Sequence, residues 1–157
     1  MGFLTWLEST AYAQWILTGL IGWPLVLTAH AIGLAIAVGT VYAMNMRLLG
    51  LYRTIPVRAV RTLLNLAWVG IVINIISGFS LFMTQATFYV TGSPAFLVKI
   101  SAIIVGIVVL VFQQKQIDRE LPNWEANGVS SQGRNLAIAS LALWTLAVMT
   151  GRLIAYL

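Results

Sequence analysis

The stretch from Trp23 to Leu48 constrains the fold more than any other part of the sequence. It is apolar except for two threonines, an asparagine, an arginine near its end and one histidine, His30. An apolar run of about 25 residues rises about 37 Å as a helix, enough to cross the hydrocarbon core of a bilayer. His30 is the only histidine in the chain. Because placing an ionisable side chain inside a membrane helix costs free energy, His30 is a candidate functional residue.

The composition extends this interpretation to the whole chain. Hydrophobic residues make up 60% of the 157 residues and charged residues 8%, against about 25% charged in a typical soluble domain. The sequence therefore predicts an all-α integral membrane protein, with residues 1–157 forming one membrane domain built as a four-transmembrane-helix bundle. The chain has no cysteine, which excludes disulfides, thiolate metal sites and cysteine nucleophiles. One histidine and four carboxylates argue against a metal centre with several protein ligands.

Apolar runs, prolines and polar stretches predict where the helices begin and end. We expect residues 3–18 to form an N-terminal amphipathic helix in the membrane interface. The alternative is that these residues extend the first spanning helix. The spanning helices are predicted at residues 22–49, 57–86, 94–116 and 135–157. The polar segment before the last helix predicts a loop, because Pro122, Gly128 and Gly133 interrupt it.

The cationic residues predict the orientation in the membrane. Four arginines surround the first loop, and further cations, Lys115, Arg119 and Arg134, surround the third, while the second loop has no charge. The positive-inside rule then places loops one and three in the cytoplasm and both termini outside. We expect a multi-pass protein of the bacterial cytoplasmic (inner) membrane. The basic excess is a topology signal, so no nucleic-acid partner is expected.

Three spanning helices carry a cationic or titratable side chain at a similar predicted depth. His30 lies about 10 Å inside the outer end of the first helix, and Lys99 and Arg152 lie about 7 Å inside the ends of theirs. On the last helix, Met149 and Arg152 share one face with Thr145 and Tyr156 by their spacing. If that face points into the bundle, it presents a thioether sulfur beside a guanidinium group.

This set of residues favours a planar cofactor such as haem b. His30 would be the ligand of the haem iron, and Lys99 and Arg152 would pair with the propionates. Candidates for the second axial ligand are Met149, Met83, Lys99 or His30 of another protomer. A quinone is a further candidate ligand.

A purely structural interpretation of the same residues stays open. His30 can hydrogen-bond a neighbouring helix, worth about 1 kcal/mol or less. Lys99 and Arg152 lie close enough to the surface to reach lipid headgroups. The serines have no carboxylate–histidine partners in the membrane, so hydrolase chemistry has no support.

The motifs WP…HAIGLAIAVGTVYAMNMRLLGLYRTIPV, SPAFLVKI and GRLIAYL resemble a family of small uncharacterised bacterial four-helix membrane proteins. The chain is also similar, more weakly, to HemJ-type protoporphyrinogen oxidases and CopD-like copper-resistance membrane proteins. HemJ-type enzymes pair a first-helix histidine with a lysine early in the third helix, and His30 and Lys99 stand at the matching positions. That resemblance implies haem b binding, whereas CopD-like proteins call for more His or Met ligands.

Three functions follow as hypotheses. The first is a small haem b protein that passes electrons between the quinone pool and a partner protein. The second is a non-catalytic scaffold or accessory subunit of a membrane complex or homo-oligomer, which uses small-residue stripes to pack. The third is a HemJ-like porphyrinogen oxidase. The residues favour an electron carrier or subunit over a stand-alone enzyme, with the lipid bilayer, further copies of the chain or a membrane or periplasmic protein as partners.

Overall fold

The part of the chain that the structure describes, residues 2–154 and 156 of a computed structural model, is helical and contains no β-strand. Seven helices follow one another in order: α1 Phe3–Glu8, α2 Ala11–Thr18, α3 Gly22–Leu48, α4 Ala59–Thr84, α5 Ala86–Thr91, α6 Pro94–Asn127 and α7 Ser131–Leu153. Four of them, α3, α4, α6 and α7, are long and apolar enough to cross a membrane. This confirms the predicted all-α architecture with four long apolar helices.

The four long helices pack as two hairpins. The helix α3 packs along α4, and α6 packs along α7; the hairpins meet through α3 and α7, whereas α4 and α6 barely touch. Glycine permits the close approach of α3 to α4. A Cβ atom at Gly33 would lie 2.8 Å from Asn74 Nδ2, and one at Gly70 would overlap the backbone of Ala37. Small residues at a membrane helix interface allow backbones this close together.

The bundle has two halves of different character. The His30 half contains the first turns of α3 and α6 and the last turns of α4 and α7; the Asn45 half contains the opposite ends of these helices. The Asn45 half holds most of the apolar core, including the buried residues Val41, Met44, Leu48, Val60, Leu64, Leu110 and Ile117. Three buried polar side chains, Asn45, Gln113 and Ser140, join α3, α6 and α7 there.

The predicted single helix over residues 3–18 is wrong in one respect, because it is two helices. Thr10 has an extended backbone and accepts a hydrogen bond from Ala13 N (3.3 Å), so it is the N-cap of α2. Such capping favours a new helix start over continuation. Glu8 accepts from Thr87 N (2.7 Å), and the Tyr12 hydroxyl pairs with Ser80 Oγ (3.0 Å), so both short helices are held against the end of α4 and α5.

The prediction that the third spanning helix ends at residue 116 is also wrong. The helix α6 continues through the polar segment to Asn127, and Pro122 lies inside it on an exposed face. Glu120 stabilises this extension by accepting hydrogen bonds from Trp124 Nε1 (2.7 Å) and Ser130 Oγ (2.8 Å). The Trp124 ring is buried against Gly133 of α7. These tertiary contacts offset the hydrogen bond that a proline removes.

The remaining bounds differ by shorter segments. The predicted helix 57–86 is α4, which ends at Thr84 because Gln85 breaks the helical backbone (φ −147°, ψ 44°), and the uncharged loop after it contains α5. The predicted helix 135–157 is α7, which begins earlier because Ser130 caps it by accepting from Gly133 N (3.3 Å). It ends at Leu153, and residues 155 and 157 lie outside the described part. The predicted helix 22–49 agrees with α3 to one residue.

Candidate functional site

A cavity of about 940 Å³ occupies the His30 half. The helices α3, α4, α6 and α7 form its walls, and α5 contributes to its end. Its lining is mainly aliphatic and aromatic, with a few polar side chains that include His30, Asn74, Lys99 and Arg152. A cavity of several hundred Å³ with apolar walls and a few converging polar groups is typical of small-molecule and cofactor sites.

The imidazole of His30 is oriented by α4. His30 Nδ1 lies 3.0 Å from Ser77 Oγ, and Ser77 Oγ lies 2.7 Å from the Ile73 carbonyl oxygen. Because a hydroxyl has one hydrogen and Ser77 donates it to Ile73, the pattern assigns His30 Nδ1–H as the donor to Ser77. Nε2 then carries the lone pair and has no hydrogen-bond partner among the described residues. It is the nitrogen that can bind a ligand in the cavity.

Residues of α4 also contact the backbone and the ring of His30. Asn74 Nδ2 donates to the His30 carbonyl oxygen (3.2 Å), and Gly78 lies flat against the ring, where a Cβ atom would stand 3.1 Å from His30 Cε1. Asn74 and Ser77 of α4 thus both contact α3. A titratable side chain fixed by neighbouring hydrogen bonds is suited to binding, because little further ordering is needed when a ligand arrives.

Lys99 and Arg152 supply the positive charge of the cavity. Lys99 is half-buried, and its stem lies along α7, where a Cβ atom at Gly151 would be 3.4 Å from Lys99 Cε. Arg152, the next residue on α7, lies at the exposed edge of the cavity. Among the described residues the lining contains no carboxylate, and the ion pair found there, Arg61 with Asp118, lies in the Asn45 half. The cavity therefore presents cationic groups whose charge an anionic ligand would neutralise.

The structure does not bring Met149 to this site. Met149 is 59% exposed and is absent from the cavity lining, so its thioether is not presented to the cavity beside Arg152. Its neighbour Val148 does line the cavity, and one residue of helix turns Met149 about 100° away from Val148. Met83 does not line the cavity either.

Trp144 also lines the cavity. Its side chain is 5% exposed, and its indole N–H has no acceptor among the described residues. A buried donor without an acceptor costs about 1–3 kcal/mol, and this N–H lies close to Gly106 of α6, which does not line the cavity. The sequence carries no signal for this feature, because an unpaired N–H depends on which neighbours surround the ring.

The site offers one imidazole as a metal ligand. Among residues 2–154 and 156, no group of three or more His, Cys, Asp or Glu side chains is placed to hold a metal ion. His30 can therefore ligate a metal when other groups supply the remaining coordination positions.

No family model, curated protein or solved structure matches the chain. The resemblances to small four-helix membrane proteins, HemJ-type oxidases and CopD-like proteins thus stay predictions that rest on the sequence motifs.

Proposed function

We propose that this protein binds a b-type haem in the cavity of the His30 half and passes electrons between the quinone pool and a partner protein. The observation that carries the proposal is His30 itself. Its Nδ1–H donates to Ser77 Oγ, and its Nε2 lone pair has no hydrogen-bond partner among the described residues. Its side chain lines a cavity large enough for a ligand. A haem supplies four nitrogen ligands of its own, so a single protein imidazole is enough to hold its iron.

The hydrogen bond from His30 to Ser77 favours iron binding through Nε2. Metal-ligating histidines almost always donate their other ring N–H to an oxygen, which fixes the tautomer and the ring orientation. With Met83 and Met149 outside the cavity, a second protein ligand for the iron would come from Lys99 or from His30 of another protomer. When bound, the haem would supply one-electron redox chemistry, and the protein would set its orientation and surroundings.

The cationic residues fit the propionate groups of the haem. Lys99 and Arg152 line the same cavity and lack carboxylate partners among the described residues. Charge-assisted hydrogen bonds to carboxylates are roughly twice as strong as neutral ones, and exclusion of water strengthens them. The apolar walls would surround the porphyrin ring.

The charge distribution supports the orientation that goes with this function. The α3–α4 connection carries Arg53 and Arg58 and belongs to the Asn45 half, so the positive-inside rule puts that half on the cytoplasmic side. The haem would then lie in the half of the bilayer away from the cytoplasm, in the bacterial inner membrane, within reach of a periplasmic or membrane partner.

An absorption spectrum tests the proposal. Protein purified in mild detergent from haem-replete cells should show a Soret band, and His30→Ala should remove it because the iron ligand is gone. Thr40→Ala is the matched control on α3, since the Thr40 hydroxyl bonds only to backbone oxygens of its own helix. Addition of free imidazole to the His30→Ala protein with haem should restore the band. A colourless wild-type preparation contradicts the proposal.

Ser77→Ala tests the assigned tautomer. Haem should still bind, with an affinity about 10- to 100-fold lower, because the imidazole loses its orienting acceptor. The Fe(III)/Fe(II) potential should also shift, whereas Ser101→Ala, which removes a hydroxyl bonded to its own helix, should change neither value. Equal affinities and potentials for Ser77→Ala and wild type would show that Ser77 does not position the ligand.

Two other functions make different predictions for the same variants. A HemJ-like oxidase would use this cavity for a porphyrinogen, whose carboxylates suit Lys99 and Arg152, and the gene would rescue a strain that lacks protoporphyrinogen oxidase. A scaffold would bind no haem, tolerate His30→Ala and purify with larger partners or as a ring of copies.

A further inference from the structure

The cavity has a side opening between α4 and α6. These two helices barely touch, because α4 packs on α3 and α6 packs on α7. Two contacts join them along the length of the cavity, and a third, the Arg61–Asp118 ion pair, lies farther into the Asn45 half. In the His30 half the rings of Phe82, Tyr89 and Phe96 stack together, with Phe96 centroids 5.6 Å from Phe82 and 5.1 Å from Tyr89. In the Asn45 half Trp68 Nε1 donates to Gln114 Oε1 (3.0 Å).

Between these two contacts the helices leave a gap. About 21 Å of helix separates Trp68 from Phe82 on α4. Over this length the side chains that face α6 both line the cavity and reach the protein surface: Ile75 is 55% exposed and Phe79 is 54% exposed, and Ile100 stands opposite them on α6. Because Ile75, Phe79 and Ile100 line the cavity, are exposed and lie between the two contacts that join α4 to α6, they border an opening of the cavity on this side. We name the gap bordered by Ile75, Phe79 and Ile100 the lateral window.

The lateral window is apolar and lies within helices that are long enough to span a bilayer. Lipid, not water, would therefore border it. An amphiphile dissolved in the bilayer keeps its charged groups near the headgroups and its apolar body among the acyl chains. Lys99 lies on α6 about 7 Å inside the start of that helix, next to Ile100. The cation thus stands at the level that the charged groups of such an amphiphile would occupy.

We propose that the lateral window is the route by which haem passes between the lipid phase and the cavity. The porphyrin slides sideways past Ile75 and Ile100, while its propionates remain near the membrane surface and meet Lys99 and then Arg152. The stacked rings of Phe82, Tyr89 and Phe96 keep the end of α4 and the start of α6 together while haem passes through the lateral window. This inference rests on the proposed haem site.

Plugging the window should slow loading. Apoprotein in vesicles is mixed with vesicles that contain haemin, and growth of the Soret band is followed. Ile75→Trp and Ile100→Trp should each slow loading by about tenfold, within the one to three decades over which mutations change association rates. Matched controls are Ile76→Trp and Ile104→Trp, whose positions are more exposed and do not line the cavity; they should load at the wild-type rate. Equal rates for all four variants would overturn the proposal.

A second measurement does not depend on haem. The chain has no cysteine, so Ile103→Cys, on the cavity wall, can carry a single nitroxide spin label. Access from lipid gives frequent collisions with oxygen and few with a water-soluble nickel chelate, as for a label at the lipid-facing Ile104. Adding Ile75→Trp should lower the oxygen collision rate at residue 103. A label reached mainly by the nickel chelate would overturn the lateral window.

The two measurements separate the two proposals. Lipid access at residue 103 in a protein that never shows a Soret band would contradict the haem site and support the window. A Soret band with unchanged loading rates in the plugged variants would support the haem site and contradict the window.

Discussion

The Asn45 half and the His30 half are built from the same four helices, yet the first is closely packed and the second encloses a cavity. In the Asn45 half, Gln113 Nε2 donates to Asn45 Oδ1 (2.7 Å) and Asn45 Nδ2 donates to Ser140 Oγ (3.0 Å), among closely packed aliphatic residues. In the His30 half, Lys99 and Arg152 line a cavity and have no carboxylate partners in the described part of the chain. Polar side chains join the helices of one half, whereas the cationic side chains of the other half are left for a ligand.

Because of this difference, we expect the Asn45 half to determine the stability of the fold and the His30 half to determine ligand binding. Packed side chains and paired amides in the Asn45 half hold the helices in place, so that the His30 half can keep a cavity between the same helices without closing it. Functional sites are commonly drawn from the less stable parts of a protein. The comparison predicts large stability effects and small binding effects in one half, and the reverse in the other.

The largest effect on stability is expected for Leu64→Ala in the Asn45 half. Leu64 is 1% exposed within the core, and truncation of a buried leucine typically lowers the free energy of unfolding by about 2–5 kcal/mol. Leu27→Ala removes the same atoms from a side chain that lines the cavity and should lower it by less than about 1 kcal/mol, because no closed packing is lost. Reversible unfolding in mixed micelles measures both values. Similar losses for the two variants would remove the distinction between the halves.

Asn45→Leu should produce the next largest effect. It leaves the amide of Gln113 and the hydroxyl of Ser140 without their partner, and an unsatisfied buried polar group costs about 1–3 kcal/mol. Adding Gln113→Leu should recover part of that loss, since both partners of the bond are then apolar. A double-mutant cycle with no coupling would show that the polar contact adds nothing to the packing around it.

The distribution of correct and wrong predictions follows from what local sequence can encode. The bounds of α3 were predicted to one residue because a long apolar run is a local property. The similar depth of His30, Lys99 and Arg152 in the membrane is also a local property, since it depends on the distance of each residue from the end of its helix. All three side chains line one cavity. Their role in haem binding stays a prediction.

The wrong predictions depend on contacts between distant residues. Met149 was a candidate cofactor-binding residue because it shares a face with Arg152, but both faces of α7 are apolar, so spacing does not indicate which one points inward. The polar segment after residue 116 was expected to be a loop, since its proline and glycines are local breakers. Its helix is stabilised by Glu120 bonding Ser130 and by Trp124 packing on Gly133. Neither contact can be inferred from the segment alone.

Lys99→Ala should weaken binding in the His30 half while leaving the fold intact. Losing one charge-assisted bond to a carboxylate should lower haemin affinity about tenfold. Lys115→Ala, an exposed cation of the Asn45 half, is the matched control and should leave the affinity unchanged. Haemin dimethyl ester, which has no propionate charge, should bind wild type and Lys99→Ala equally. A tenfold loss with the ester as well would mean that Lys99 contacts another part of the ligand.

The smallest effect is expected for the ion pair of the Asn45 half. Arg61 Nη2 lies 3.1 Å from Asp118 Oδ1, and both side chains are largely exposed, 60% and 42%. Exposed ion pairs contribute about 0–1 kcal/mol because water and salt screen the charges and two flexible side chains must be ordered. Asp118→Asn should therefore lower the free energy of unfolding by less than about 1 kcal/mol, and the loss should shrink as sodium chloride is raised. A larger loss that does not depend on salt would show that this pair, and not the buried amides and aliphatic side chains, holds α4 to α6 at that end of the bundle.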